Sequence, residues 1–315
     1  MNVLVSLFNS LPGAAGQGLI WGIMAIGVYL TYRILDVADL TVDGSLGTGG
    51  AVCVVMVLNG APVGLALLAA TAAGMLAGLV TGLFHTACGI PAILAGILTQ
   101  LALYSVNLRI MGFGTGGGKA NLPISVDKYG LLVSARYVRN VALNNPILIL
   151  TIFCAVLIAV LYWFFGTELG CSLRATGANQ NMARAQGINT NVTKVLGLMI
   201  SNGLVALAGG LLAQYQGFSD INMGRGAIVI GLAAVIIGEV IFSRIFRNFA
   251  LKLLSAVIGA IIYYIVMVFV LRLGLSTDDL KLLTALVVAL FLTIPYWKGK
   301  YFTKTSVKKG EKNHA

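Results

Sequence analysis

The sequence predicts an all-α, polytopic integral membrane protein with about nine transmembrane helices (eight to ten), some of them short or discontinuous. Of its 315 residues, 58% are hydrophobic and only 10% are charged, whereas a typical soluble domain carries about 25% charged residues. The mean hydropathy is +0.94, so the chain has too little polar surface to cover a globule in water. A bilayer must therefore solvate most of it.

Nine apolar segments satisfy or approach the length of about 20 residues that a helix needs to cross a bilayer. The second and seventh are short, which is typical of discontinuous helices that line a cavity. The predicted spans lie near residues 16–35, 46–59, 63–86, 90–111, 146–166, 194–216, 226–243, 253–272 and 281–297. We expect one transmembrane domain over residues 1–297 and a basic tail over 298–315.

Basic residues predict the orientation, because cytoplasmic loops are enriched in Lys and Arg. The tail after Trp297 holds six of the 21 Lys and Arg residues, so the C-terminus is predicted inside and, with nine spans, the N-terminus outside. The loop 167–193 then falls inside. The loop 112–145 falls outside although it carries four basic residues, which argues against this orientation. Its stretch near 129–143 is predicted to form a short surface helix.

Motifs of enzymes are absent from the sequence, which contains no HExxH, GxSxG or P-loop pattern. The four cysteines lack CxxC spacing, and His85 and His314 are the only histidines, so no metal site is predicted. The net charge of +11 comes from loops and the tail, not from a basic helix with aromatic residues. We therefore attribute this charge to topology and anionic lipid, not to nucleic acid.

Polar residues on the apolar spans are candidates for a translocation pathway, since such side chains face the interior of a helix bundle. A hydrogen bond between helices would explain each of these polar residues at least as well as a pathway. Asp43 could also provide the N-cap of the short second helix, and Glu239 could pair with Arg244 or with a partner. The pathway candidates are Asp43, Ser45, Thr99, Gln100, Asn107, Asn202 and Gln214.

Three glycines on the third span predict close helix packing. Gly74, Gly78 and Gly82 stand four residues apart, so they form one smooth face along a helix that another backbone can approach.

The polar segment 167–193 interrupts the apolar spans. Within it, residues 179–186 favour a short helix that begins after Asn179 and ends at Gly187. Gly170 and Gly177 are interpreted as turns that precede it. A short exposed helix of this kind suits docking on a partner, and an ordinary connecting loop is the alternative.

Part of this segment, LRATGANQNMARAQGIN at 173–189, resembles the coupling-loop motif of ABC importer permeases of the branched-chain amino acid and ribose type. That motif typically reads Arg-Ala-x-Gly-x-Asn, then Ala-Arg-x-x-Gly-Ile. The stretches 18–34, 203–217 and 231–239 resemble core helices of the same family. DLTVDGS at 39–45 is most like a subgroup linked to amino acids, with aromatic amino acids as a candidate class.

The resemblance implies one half of a membrane pore in the bacterial cytoplasmic membrane, with no enzyme activity and no cofactor in this chain. Two permease subunits would form the pore, cytoplasmic ATPase subunits would bind ATP and Mg, and an external binding protein would deliver the solute. A stand-alone secondary transporter or channel is the alternative. By the resemblance, the residues that couple to the ATPase are Arg174, Gly177, Asn179, Ala183, Arg184, Gly187 and Ile188.

Overall fold

The computed structural model describes residues 3–113, 117–125, 128–138, 145–242, 245, 246, 248–272 and eight positions between 282 and 293. Almost all of the regular structure is helical. The helices are α1 (Val3–Tyr29), α2 (Val42–Leu58), α3 (Val63–Thr86), α4 (Ala92–Met111), α5 (Pro146–Gly166), α6 (Glu168–Ala178), α7 (Gln180–Ala185), α8 (Thr190–Gln216), α9 (Ala227–Phe242) and α10 (Phe249–Arg272). A π-helical segment, Leu30–Ile34, continues α1.

Six of these helices, within the described part of the chain, are long and apolar enough to cross a membrane. They are α1 with its π-helical extension, α3, α4, α5, α8 and α10. The apolar helices α2 and α9 are shorter, so the predicted all-α membrane fold and its two short spans are confirmed. The predicted ninth span, 281–297, and the tail after it fall largely or wholly outside the described residues.

The interior of the bundle is built around α8. This helix packs against α3, α2 and α1, and α10 packs against α1 and α9. By contrast, α4 and α5 bury only 28% and 22% of their most apolar windows. Exposure of apolar side chains to the hydrocarbon of a bilayer carries no free-energy cost. The helices α4 and α5 are therefore suited to face lipid or another membrane subunit.

The glycines of α3 face α8 at close range. A Cβ atom on Gly74 or Gly78 would collide with the backbone carbonyls of Asn202 and Leu198, and one on Gly82 would lie 3.0 Å from the Cα of Val195. The two backbones therefore touch over three turns. Van der Waals packing of this kind is what holds helices together where lipid removes the hydrophobic driving force.

The two polar connections lie at opposite ends of the bundle. A small antiparallel sheet pairs β1 (Asn121–Pro123) with β2 (Phe218–Asp220), directly after the C-terminal end of α8. The segment 167–189 leads into its N-terminal end. A helix of the length of α8 spans about 40 Å, so the two regions are separated by the thickness of a membrane.

The loop that contains β1 differs from the prediction. In place of a surface helix near 129–143, the structure has one 3₁₀ turn, Ala135–Tyr137, within the described residues 128–138. Gln214 on α8 accepts a hydrogen bond from the backbone N–H of Leu132 at 3.2 Å. The loop is thus held on the bundle by a buried amide as well as by the sheet.

Candidate functional site

The helix α7 is short and capped at both ends. Asn179 accepts a hydrogen bond from the backbone N–H of Met182 at 3.0 Å. Gly187 follows the helix with φ of +80°, and the N–H groups of Gly187 and Ile188 donate to the carbonyls of Arg184 and Ala183. This is a Schellman motif, which needs a residue that tolerates positive φ. The predicted N-cap and helix stop are confirmed.

The segment before α7 differs from the prediction. Gly170 and Gly177 do not form turns but lie inside α6, whose N-cap is Thr167. A Cβ atom on Gly177 would collide with the carbonyl oxygen of Ile34 in the π-helical segment. Gly177 is therefore required for close approach. The buried positions Gly170, Leu173 and Thr176, three residues apart, are the helical signal that could have indicated α6.

The seven residues expected to couple to an ATPase differ in what they contact. Some stabilise the segment itself: Arg174 donates to the carbonyl of Phe165 at 2.7 Å, which caps the end of α5, and Ala183 is buried against the bundle. Arg184 is exposed, although its Nε donates to Thr190 Oγ1 at 2.8 Å. Met182 is 63% exposed on α7. It was not among the predicted residues, although an exposed Met on a short helix is typical of a docking surface.

The π-helical segment connects α6 with α9. Besides its contact with Gly177, this segment carries Arg33, which forms a two-pronged ion pair with Glu239 near the end of α9. The Nε–Oε1 and Nη2–Oε2 distances are 2.7 and 2.8 Å. Glu239 was expected to pair with Arg244 or with a partner. The structure pairs it with Arg33, while Arg244 lies outside the described residues.

Three of the seven pathway candidates lie together around one cavity. Asp43 on α2 and Gln100 and Asn107 on α4 line a cavity of about 290 Å³, together with Tyr104 and Arg225. The cavity lies between the N-terminal end of α2, the helix α4 and the segment that leads from the sheet into α9. Two of its lining residues on α4, Leu101 and Tyr104, are exposed on the outside of the bundle.

Asp43 joins the two short helices at this cavity. Its carboxylate oxygens accept hydrogen bonds from the backbone N–H groups of Gly226 and Ile228, each at 2.9 Å. It therefore caps α9 and not α2, contrary to the prediction. The first residue before α2, Thr41, makes no side-chain cap hydrogen bond. A negative charge at the N-terminal end of α9 is favourable because the free N–H groups there carry partial positive charge.

Two other candidates form a buried network away from the cavity. Ser45 donates to Asn202 Oδ1 at 2.6 Å, and Asn202 Nδ2 donates to Asp39 Oδ2 at 2.6 Å. Asp39 also accepts from the backbone N–H of Thr41. All four residues are at most 2% exposed. The network fixes the break between the π-helical segment and α2 against α8.

The last two candidates also have partners in the protein. Thr99 receives a hydrogen bond from Thr81 at 2.9 Å, and Thr81 lies 2.7 Å from the hydroxyl of Thr41. Gln214 donates to Cys53 Sγ, in addition to its bond from the loop. These contacts are interhelical hydrogen bonds. Among the described residues, no group of three or more His, Cys, Asp or Glu side chains could hold a metal ion.

Comparison with known proteins identifies the family of this chain. The model of the family described as "Branched-chain amino acid transport system / permease component" matches residues 11–294. The chain belongs to this family. The matched region contains the cavity, the π-helical segment and α7. The permease is thus a multi-pass membrane protein and a transport subunit, as its sequence predicts.

Individual relatives cover most of the permease. A tyrosine transport system permease protein of Clostridioides difficile is 41% identical over 88% of this chain and 88% of its own length. The ribose import permease protein RbsC of Escherichia coli is 28% identical over 74% of this chain and 68% of its own. The fold resembles that of PsaBC from Streptococcus pneumoniae, with a TM-score of 0.53 at 16% identity, over 95% of this chain and 98% of that chain.

Proposed function

We propose that this permease forms half of the pore of an ATP-driven importer in a bacterial cytoplasmic membrane and that its solute is an amino acid of the tyrosine class. The relative with 41% identity is named for tyrosine transport, and the family description names amino acids. In this proposal a second permease subunit completes the pore, and an external binding protein delivers the amino acid. ATP and Mg are bound by separate ATPase subunits.

The observation that carries the proposal is the isolated, capped helix α7 at one end of the bundle. Met182 and Arg184 project from it. The helix α7 packs against α6, and Gly177 of α6 contacts the π-helical segment. A rigid, exposed helix with an apolar anchor and a charge is suited to a cleft on a partner. Movement of that partner would be passed to the spans through packed helices.

The distribution of charge supports one orientation in the membrane. Arg174, Arg184 and Lys252 are all exposed, and they lie at the α7 end of the bundle, where Phe165 contacts Phe249. This excess of positive charge supports a cytoplasmic location for that end. The N-terminus would then be outside, since α1 runs toward the π-helical segment. The basic tail would be inside, and the sheet would face the binding protein.

The docking role is tested with Arg184→Glu and Met182→Asp in proteoliposomes that contain the permease, its ATPase and its binding protein. Both variants should lose copurification with the ATPase and ATP-driven uptake of labelled tyrosine. The control for copurification is Lys119→Glu, which makes the same charge change as Arg184→Glu at the opposite end of the bundle, where Lys119 is exposed. Normal uptake by the α7 variants would show that this helix does not dock the ATPase.

The same assay separates the proposal from a stand-alone transporter. An importer driven by a partner ATPase accumulates no tyrosine when the ATPase or ATP is omitted. Accumulation by the permease alone, in response to an ion gradient, would support the alternative.

A further inference from the structure

The cavity between α2, α4 and the start of α9 has a polar atom that no protein group satisfies. Asn107 is 2% exposed, and its Nδ2 donates to the carbonyl of Gly44 at 3.4 Å. Its Oδ1 has no hydrogen-bond partner among the described residues. A buried acceptor without a donor is costly, and Asn107 lines the cavity. A ligand with a donor group would satisfy it.

The cavity also has one charge of each sign on its wall. Asp43 and Arg225 are its charged lining residues. They do not form an ion pair with each other, since within the described residues the structure has one such pair, Arg33 with Glu239. The carboxylate of Asp43 accepts two backbone hydrogen bonds, and a carboxylate has about four acceptor positions. Both charges can therefore interact with a solute.

We infer that this cavity binds the zwitterionic backbone of an amino acid, with its carboxylate at Arg225 and its ammonium group at Asp43 and Asn107 Oδ1. The inference rests on the proposed function and adds the site. The three N–H groups of an ammonium ion match the unused acceptor positions of Asp43 and the unsatisfied Oδ1 of Asn107. Arg forms strong, directional hydrogen bonds with carboxylates. A neutral sugar would leave both charges without a counter-charge.

The size and the lining of the cavity fit the same class of ligand. Its volume of about 290 Å³ lies near the lower limit of about 300 Å³ for small-molecule sites, which suits one small solute. Tyr104 and Leu101 line the cavity on α4 and are 43% and 64% exposed. They offer an apolar, aromatic surface against which the side chain of an aromatic amino acid can pack.

The test measures ATP-driven uptake of labelled L-tyrosine with saturating binding protein, so that passage through the permease limits the rate. Arg225→Gln and Asn107→Leu should each lower the maximal rate about tenfold, as expected when a charge-assisted or buried hydrogen bond is lost. The matched control is Arg109→Gln, because Arg109 is exposed on α4 outside the cavity. Copurification with the ATPase should stay unchanged in all three variants.

The outcomes distinguish the site from the transport function. If the unmodified importer does not accumulate tyrosine, the proposed tyrosine-class solute is wrong, and the cavity assignment falls with it. If it does accumulate tyrosine and both cavity variants transport at the control rate, the assignment is wrong although the function stands.

A labelling measurement covers the case in which a cavity variant fails to assemble. Gln100 lines the cavity and, after replacement of the exposed Cys88 and Cys171 by Ser, Gln100→Cys provides a single reactive thiol in the cavity. Binding protein loaded with tyrosine should slow its reaction with a charged thiol reagent, and empty binding protein should not. Equal reaction under both conditions would overturn the inference.

Discussion

Asp43 in α2 accepts a hydrogen bond from the backbone N–H of Ile228 in α9, with 2.9 Å between Oδ1 and the nitrogen. Its other oxygen accepts from Gly226. One carboxylate therefore connects the two short apolar helices, which are separated by about 180 residues in sequence. Both helices are shorter than the six that are long enough to cross a membrane, and this connection holds their N-terminal ends together inside the bundle.

Replacing Asp43 should destabilise the permease. Asp43→Ala removes the acceptors of two N–H groups at the start of α9, and we expect the free energy of unfolding to fall by about 2 kcal/mol. Asp43→Asn keeps one acceptor oxygen and should lose about half as much. Thermal unfolding of the purified protein in detergent measures the difference. Gln100→Ala, on the facing wall of the cavity, is the control, and an Asp43→Ala variant as stable as this control would contradict the capping role.

The network around Asn202 makes a second prediction. Asn202→Leu removes the side-chain donor of the Asp39 carboxylate, which keeps the backbone N–H of Thr41, and it leaves the Ser45 hydroxyl without its acceptor, in a region at most 2% exposed. A buried polar group that loses a hydrogen-bond partner costs about 1–3 kcal/mol, so the variant should unfold at a clearly lower temperature. The same substitution at the exposed Asn59 should have almost no effect. Equal stability of the two variants would show that the hydrogen bonds of the Asn202 side chain do not stabilise the bundle.

The glycine face of α3 can be tested within one helix. In Gly78→Ala the new methyl group would collide with the carbonyl oxygen of Leu198, so α3 and α8 must separate, which costs about 1–3 kcal/mol. Gly64 has no atom within 4 Å of an added Cβ. Gly64→Ala should therefore leave stability unchanged or raise it by up to about 1 kcal/mol. The two melting temperatures, compared with the unmodified protein, decide between packing and intrinsic helix propensity.

The ends of the bundle can be assigned by labelling. In the background with Cys88 and Cys171 replaced by Ser, Ala120→Cys beside the sheet and Gln186→Cys beside α7 are both exposed. In intact cells, a membrane-impermeant thiol reagent should modify position 120 only, and position 186 should react after the cells are opened. Reaction of position 186 in intact cells would invert the proposed orientation. Reaction of both positions would contradict the separation of the two ends.

The spans were predictable because a bilayer requires long apolar runs, and the lengths of such runs can be read directly. The third and fifth spans, predicted at 63–86 and 146–166, have the bounds of α3 and α5. The capping of α7 was predictable because Asn179 and Gly187 act on residues beside them. Local chemistry of this kind needs no knowledge of the tertiary structure.

Tertiary partners were not predictable in the same way. Asp43 could be recognised as a helix cap, but its helix lies far along the chain. Glycine is frequent in turns, so Gly177 was interpreted as one. Only its contact with Ile34 shows why this residue inside α6 must be Gly. Of the seven polar candidates on apolar spans, five are buried in the bundle, and Asp43 and Gln100 are half-buried. Sequence alone could not separate those that bond to other helices, such as Asn202, from those that line a cavity, such as Asn107.

The ion pair between Arg33 and Glu239 gives a prediction about coupling. Arg33 lies on the π-helical segment that touches Gly177 of α6, and Glu239 lies near the end of α9, whose other end is held by Asp43 at the cavity. If α7 moves with an ATPase, this contact sequence carries the movement to the cavity wall. The side chains are 53% and 26% exposed, so the pair contributes at most about 1 kcal/mol to stability.

We therefore expect Glu239→Gln and Arg33→Gln to lower ATP-driven tyrosine uptake several-fold while copurification with the ATPase, ATP hydrolysis and the melting temperature change little. The double variant Arg33→Glu/Glu239→Arg restores opposite charges across the contact and should recover part of the uptake, because attraction between the two helices depends on the pair and not on which helix carries which sign. Uptake and hydrolysis measured in the same proteoliposomes give the ratio of solute moved to ATP consumed. If the single variants move as much solute for each ATP consumed as the unmodified protein does, loss of the ion pair has no effect on coupling. Movement would then reach the cavity by another contact.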